Sequence, residues 1–386
     1  MAGQPGVGRA PPRYRFELSW NIFVVPVAST NGVWPDPYAI ACRDSRYSNW
    51  NTMAQQETED LTRILISAAL SRAVSTIAEL GVADFVQTGQ PQSVEHLARA
   101  TNTHVPSLYR ILRFMASHGL FEESGNRHFG HTALSAALRS DAPGSYRAAA
   151  QLFHHVFAAW DGLHHSIQTG EPGFNKVFGA PIFNYIPTHP ELGPVFDAGM
   201  TSLNFYETGA MLNAYDFTGI STLADIGGGN GSLLSALLGR HPNMNGILFD
   251  LGHVVGRAQE NLKAADLAER CRVMEGNFFE SIPAGADAYL FRHIIHDWTD
   301  EQSIQILGHC RKVIPTDGKL LIVDCVVPAG NTPSLSKEYD ITMLTFPGGQ
   351  ERTEAQFSSL LKASGFELKS VTPTTTMISV VEGKPV

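Results

Sequence analysis

From Thr58 to Phe85 the apolar residues Leu61, Ile64, Leu65, Ala68, Leu70, Val74 and Ile77 recur at helical spacing, so they line one stripe of a helix that Gly81 then stops. Such a stripe needs a partner surface. Ser93 caps a short helix through Ala98, Thr101-Asn102-Thr103 turns the chain, and Pro106 opens a second helix that runs to Met115. Residues Gly119 to Glu123, followed by a Gly125-Asn126 turn and Arg127-His128-Phe129, predict a hairpin wing. The unit reads as a winged helix over residues 56–145, preceded by an arm, residues 1–55, in which neither a helical nor an alternating pattern is visible.

After a helical, His- and Phe-rich stretch from Ser145 to about Tyr215, short apolar runs alternate with helical segments. Thr222–Ile226, Gly246–Asp250, Cys271–Met274, Ala288–Phe291 and Lys319–Asp324 are the strand candidates, at the spacing of βαβ units in a parallel sheet. The fold class is therefore α/β, a Rossmann-like domain within residues 146–386 preceded by a mainly helical domain.

At 386 residues the chain is long enough for two cores, and 43% hydrophobic with 17% charged residues is the composition of a folded globular chain. The winged helix raises the alternative of a DNA-binding regulator. Its second helix offers only Arg110 and Arg113, Glu122 and Glu123 follow closely, and the net charge is -9, so the basic footprint expected of a groove reader is thin and nucleic acid is not expected as a partner. Four scattered cysteines, Cys42, Cys271, Cys310 and Cys325, make no CxxC pair and no disulfide framework. That usage fits a reducing cytoplasm, and no stretch reads as a membrane span or an export signal.

Asp225-Ile226-Gly227-Gly228-Gly229-Asn230-Gly231 stands between the first large-sheet strand and the apolar helix from Leu233, where glycines let the backbone approach a nucleotide-like cofactor. A nicotinamide dehydrogenase is the competing class. Against it, counting from Gly227 the last glycine of G-x-G-x-x-G is replaced by Ser232, and Asp225 would sit beside a pyrophosphate. S-adenosylmethionine carries an ammonium and a sulfonium and no phosphate, which suits Asp225. Asp250, closing the second strand, can accept from ribose hydroxyls in either class.

With Phe249-Asp250-Leu251, Gly276-Asn277-Phe278-Phe279, His296-Asp297-Trp298 and Gly348 through Thr353, the glycine loop resembles the motif set of the plant-type small-molecule O-methyltransferases, with bacterial hydroxyneurosporene and phenazine relatives. The resemblance runs from about Glu57 to about Val381. It implies a dimerisation domain, a Rossmann-like class I methyltransferase domain, S-adenosyl-L-methionine as cofactor, a homodimer, and a small hydroxylated acceptor bound between the domains. Cofactor contacts are expected at Asp225, Gly227, Gly229, Asp250, Leu251, Asn277, Phe278 and Arg292. Asn277 stands where relatives usually carry Asp, and Arg292 where they often carry Lys. His296 matches the family's general base, with Glu351 and Asp324 as its supporting carboxylates, the second commonly a longer Glu. Some relatives have turned the fold to non-methylating chemistry.

The chemistry is consistent with those roles. The acceptor oxygen attacks the sulfonium methyl in line, and a neutral phenol, with a pKa of about 10, is a poor nucleophile at neutral pH. A base must take its proton, and an imidazole at a strand's carboxyl end, just before the Thr299 and Gln302 capping box, is placed to do so. Asp297 is expected to serve either that ring or the helix start. Trp160, Phe157, Met200, His293 and Met343 are the expected pocket residues. His154 and His165 could share a helix face, but no metal-ligand spacing accompanies them and no metal is expected.

Overall fold

The computed structural model describes residues 45–386, with side chains from residue 55 onward, so most of the expected arm lies outside the described residues. Its first helix, Ser45–Ile66, starts ahead of the point where an apolar pattern becomes visible. Polar pairs one turn apart reinforce it, Gln55 Nε2 donating to Glu59 Oε1 (3.2 Å) and Gln56 Nε2 to Asp60 Oδ1 (3.1 Å). A second helix, Ala68–Leu80, ends as predicted at Gly81, which takes the left-handed conformation (φ 67°). The single helix expected over this region is thus two, with Val82–Phe85 a 3-10 turn beyond them. Ile77 is buried, whereas Leu61, Ile64, Leu65 and Ile66 are exposed. Contrary to expectation, the stretch Gln55–Leu80 is long and apolar enough to cross a membrane by length and composition alone.

Helices Val94–Ala100 and Val105–Ala116 form the expected pair, with Ser93 Oγ accepting from the His96 N–H at 3.2 Å. Leu97, Leu108, Leu112, Met115, Phe121 and Phe129 close a small core between them and a three-stranded antiparallel sheet. Its strands are β1 (Gln92–Ser93), β2 (Glu122–Glu123) and β3 (His128–Gly130), with β3 in the middle. The hairpin of β2 and β3 is the expected one, and β1 was not expected.

The large sheet holds β4 (Thr222–Ile226), β5 (Asn245–Asp250), β6 (Cys271–Glu275), β7 (Ala288–Arg292), β8 (Lys319–Cys325), β9 (Phe366–Pro373) and β10 (Ile378–Pro385). The order is β6-β5-β4-β7-β8-β10-β9, parallel through β8 and then antiparallel. The first five coincide with the candidate strands to within one residue; the antiparallel pair at the edge was not foreseen. Successive residues of a strand feed opposite cores, as side chains of a pleated strand must. Leu321 and Val323 of β8 join Leu233, Leu237, Val255 and Leu262 from helices Ser232–Arg240 and Gly252–Ala264. Leu320 and Ile322 face Ile306, Leu307, Leu360 and Leu361 from Asp300–Val313 and Glu354–Ala363. Both faces are covered, so the carboxyl ends of β4, β5, β7 and β8, around the switch point between β4 and β7, are where a crevice can form.

Candidate active site

At the end of β4 the chain turns through Gly227 (φ 72°) and Gly229 (φ 58°), conformations that L side chains rarely adopt. A Cβ on Gly227 would overlap Ile294, while beside Gly229 there is open space to 4 Å. The Gly229 N–H donates to Asp250 Oδ2 (2.8 Å) and the Leu251 N–H to Asp250 Oδ1 (2.7 Å), which fixes that carboxylate at the end of β5. Leu251 itself is exposed at the start of the next helix. Asp225 is buried and its Oδ2 has no hydrogen-bond partner. Burial, opposed only in part by the Arg292 charge, pushes its pKa up to about 7. A buried, unsatisfied carboxylate beside a glycine cradle is what the ammonium of S-adenosylmethionine would satisfy, so these residues fit that cofactor.

Across from Gly227, Phe278 and Phe279 pack around Trp298, at ring distances of 6.1 and 4.7 Å. Asn277 is turned onto its own chain, its Oδ1 accepting from the Phe279 N–H (3.0 Å) and its Nδ2 donating to Glu280 (3.4 Å). Arg292, last in β7, donates to Thr208 Oγ1 at 2.7 Å; burial lowers its pKa, against the raising influence of Asp225 and Glu207.

His296 sits in a single 3-10 turn, Ile295–Asp297, after β7. That turn is held from far along the chain. The Gly348 to Thr353 segment lies against it so closely that a Cβ on Gly349 would overlap the His296 carbonyl oxygen. The Gln350 N–H donates to that oxygen (2.9 Å). Arg352, fully buried, donates to the carbonyls of Ile295 (2.9 Å) and Trp298 (2.9 Å) and to Asp300 Oδ1 (2.8 Å). The next residue back, Glu351, has its N–H on Asp340 Oδ1 (2.9 Å) and one carboxylate oxygen 2.8 Å from His296 Nδ1. Among the described residues His296 Nε2 has no hydrogen-bond partner; it lies 3.6 Å from Asp297 Oδ1. Asp297 therefore lies toward the ring, and the following helix is capped by Thr299 and Gln302.

Asp324 does not reach the ring: its Oδ1 is 4.0 Å from His296 Nδ1 and accepts instead from the His293 N–H at 2.9 Å. The second oxygens of Asp324 and Glu351 are buried without partners. Burial alone would lower the imidazole's pKa, but Asp324, Glu351 and Asp297 outweigh it and push it up to about 10. Burial raises Asp324 and brings Asp297 up to about 7, so the cluster retains a proton at neutral pH that belongs to the group as a whole.

Beside this pair stands a second one that sequence reasoning did not find. His293 Nε2 lies 2.7 Å from Oε2 of Glu207, a buried acid in helix Leu192–Ala214. The His293 backbone is left-handed (φ 54°), and its ring centroid is 5.0 Å from that of His296. Of the five expected pocket residues, His293 is thus beside His296. Met343 is buried and its carbonyl accepts from the Gly348 N–H, at the start of the clamping segment (2.8 Å). Trp160 packs edge-on against Phe346 (5.8 Å). Phe157 is covered by the Arg72 guanidinium (4.1 Å), and Met200 is half-buried in helix Leu192–Ala214. An open groove of about 530 Å³ lies by the glycine loop, lined by Asn230, Thr201, Phe205 and Asp197, and includes none of the five. Among the described residues, the group that could hold a metal is not His154 with His165 but His293, His296 and Asp324, with ligand atoms within 4.8 Å of one another.

The arrangement has close counterparts. Residues 160–367 match the O-methyltransferase domain model and residues 63–141 the O-methyltransferase dimerisation domain model. The chain is 40% identical over 327 residues to the phenazine O-methyltransferase of Lysobacter antibioticus, covering 84% of this chain and 96% of that one. The structure of the mitomycin 7-O-methyltransferase superposes with a TM-score of 0.79 at 34% identity, covering 87% and 100% of the two chains. An O-methyltransferase from neocarzinostatin biosynthesis, solved with S-adenosylmethionine and 2-hydroxy-5-methyl naphthoic acid, gives 0.71 at 30% identity, covering 82% and 96%. With a cofactor cradle that suits S-adenosylmethionine, the chain belongs to the family of S-adenosylmethionine-dependent small-molecule O-methyltransferases.

Proposed function

We propose that His296 is the general base for methylation of a hydroxyl on an aromatic acceptor, with Glu351 orienting its ring and Asp324 acting one step removed, through the His293 backbone. The observation that carries the reading is the imidazole itself: buried, its Nδ1 tied to Glu351 at 2.8 Å, its Nε2 free of hydrogen bonds, two residues from the Ile294 side chain that abuts Gly227. Asp225, Gly227 and Gly229 hold the methionyl end of the cofactor, Asp250 and Leu251 the ribose, and Phe278 with Asn277 the adenine edge. Arg292 acts through Thr208 and Asp225. S-adenosylmethionine, when bound, supplies an electrophilic sulfonium methyl.

The raised pKa of His296 gives the base its strength. A phenol at about 10 would lose its proton to an ordinary imidazole, at about 6.5, only at a cost of several kcal/mol. A ring pushed up to about 10 matches the phenol, but at neutral pH it is mostly imidazolium, so the step draws on the fraction of rings that has lost its proton. An aromatic acceptor is supported by the phenazine and naphthoic acid ligands or substrates named for the relatives. The working unit is a homodimer, supported by the dimerisation domain match and the exposed Leu61, Ile64 and Leu65.

Labelled-methyl transfer to a panel of phenols tests the reading. His296→Ala should bind cofactor normally yet lose roughly 10² to 10⁴ in turnover. The loss should shrink as pH approaches the acceptor's own pKa. Near-normal turnover on an un-ionised acceptor at neutral pH would refute the base.

A further inference from the structure

Two carboxylate-held imidazoles stand side by side, and the reaction needs one. The second is built at a cost: a β-carbon residue in the left-handed region, a glutamate buried at 3% exposure in a helix interior, and a 2.7 Å contact between residues 86 positions apart. Its backbone N–H and the first imidazole share Asp324 as neighbour, at 2.9 and 4.0 Å, so both rings are referred to one carboxylate at the end of β8. Where Glu207 accepts from Nε2–H, His293 Nδ1 is left as an acceptor in the neutral ring and a donor in the protonated one.

We infer that His293 and Glu207 form a recognition pair for a second polar group on the acceptor, adjacent to the hydroxyl that is methylated. The inference rests on the reading of His296 as the base and names the acceptor class: aromatic rings carrying a hydroxyl with a neighbouring hydroxyl, carbonyl or amine. With ring centroids 5.0 Å apart, the two imidazoles are close enough for one ring system to bring neighbouring substituents to both. A site built to hydrogen-bond a polar group rejects analogues lacking it far more strongly than an apolar pocket does, because its buried partners would be left unpaired.

The test compares 2,3-dihydroxynaphthalene with 2-naphthol. It measures kcat/KM for methylation, and calorimetric affinity in the presence of S-adenosylhomocysteine. The native protein should favour the diol on the order of 10²-fold in both, well beyond the advantage of a duplicate hydroxyl. In His293→Leu the preference should collapse to within a few-fold. In Glu207→Gln, which keeps the shape but not the fixed tautomer, it should fall part of the way. A merely structural role would weaken both acceptors alike and leave their ratio unchanged, which would overturn the inference, as would the absence of any preference in the native protein. If the diol is preferred in binding through His293 but neither acceptor is methylated, the reading of His296 as base fails and this inference stands. If both are methylated and bound alike, the reverse holds. If neither is bound, this inference falls.

Discussion

The cofactor cradle comes from one stretch of chain: Asp225 to Gly231 leaves β4, turns on its glycines and enters the next helix, and Asp250 joins it from the adjacent strand. The surroundings of His296 are assembled from four distant stretches, Glu207, His293 to Asp297, Asp324 and Gly348 to Arg352, and need Arg352 and a missing Cβ at residue 349 to bring them together. The electrostatics differ in the same way. The cradle leaves one carboxylate, Asp225, unsatisfied for a cation to complete, whereas the His296 side surrounds a cation-capable ring with three carboxylates of its own. A cradle made locally is tuned by changing one side chain. A ring held by long-range clamps is tuned by changing what holds it.

If that contrast is right, the largest effect away from His296 itself comes from Gly349→Ala. The methyl would push the His296 turn away from its clamp, and turnover should fall on the order of 10²-fold, the cost of displacing a reacting group by a fraction of an ångström or more. Cofactor affinity by titration should hardly move; an equal loss in both would mean the two halves are one structural unit.

Asp225→Asn reverses the pattern. Cofactor affinity should weaken roughly ten- to hundredfold, the weight of a charge-assisted hydrogen bond of about 1.5 to 3 kcal/mol, while turnover at saturating cofactor stays close to native. Thermal stability of the free protein should hold or rise, since a burial-penalised carboxylate is replaced by a neutral isostere. Unchanged affinity by calorimetry would show that Asp225 does not meet the ammonium.

Glu351→Gln has the smallest effect on rate, on the order of tenfold at the optimum, less than loss of the base. Its signature is in pH. The native ring, raised to about 10, gains its free base form only as pH climbs toward that value, so activity on an un-ionised acceptor should rise through the neutral to alkaline range. Removing one negative neighbour lowers the ring's pKa, and the rising limb should move to lower pH. A limb that stays in place would locate the titrating proton elsewhere in the cluster.

The legibility of the sequence follows the same division. The glycine loop, Asp250 and the five parallel strands are written locally, as short apolar runs with turn residues between them, and the structure has them within a residue. The edge strands β9 and β10 fall outside that rhythm because an antiparallel hairpin needs no crossover helix, and in β9 only Phe366 is buried. His296 and Glu351 were legible through motif alone. Glu207 was not, since its meaning depends on a partner 86 residues away and its helix shows no periodic pattern that would set an acid apart. Asp324, expected beside His296, lies near the ring without contacting it: one methylene shorter than the usual glutamate, it accepts from the His293 amide instead.

Consecutive residues of one helix, Glu207 and Thr208, grip consecutive residues at the end of β7, His293 and Arg292, the first beside the His296 ring and the second within the electrostatic reach of Asp225. That turn of helix therefore touches the surroundings of both His296 and Asp225. Were occupancy of either side to shift that turn, thermodynamic linkage would make its influence on the two affinities equal in both directions.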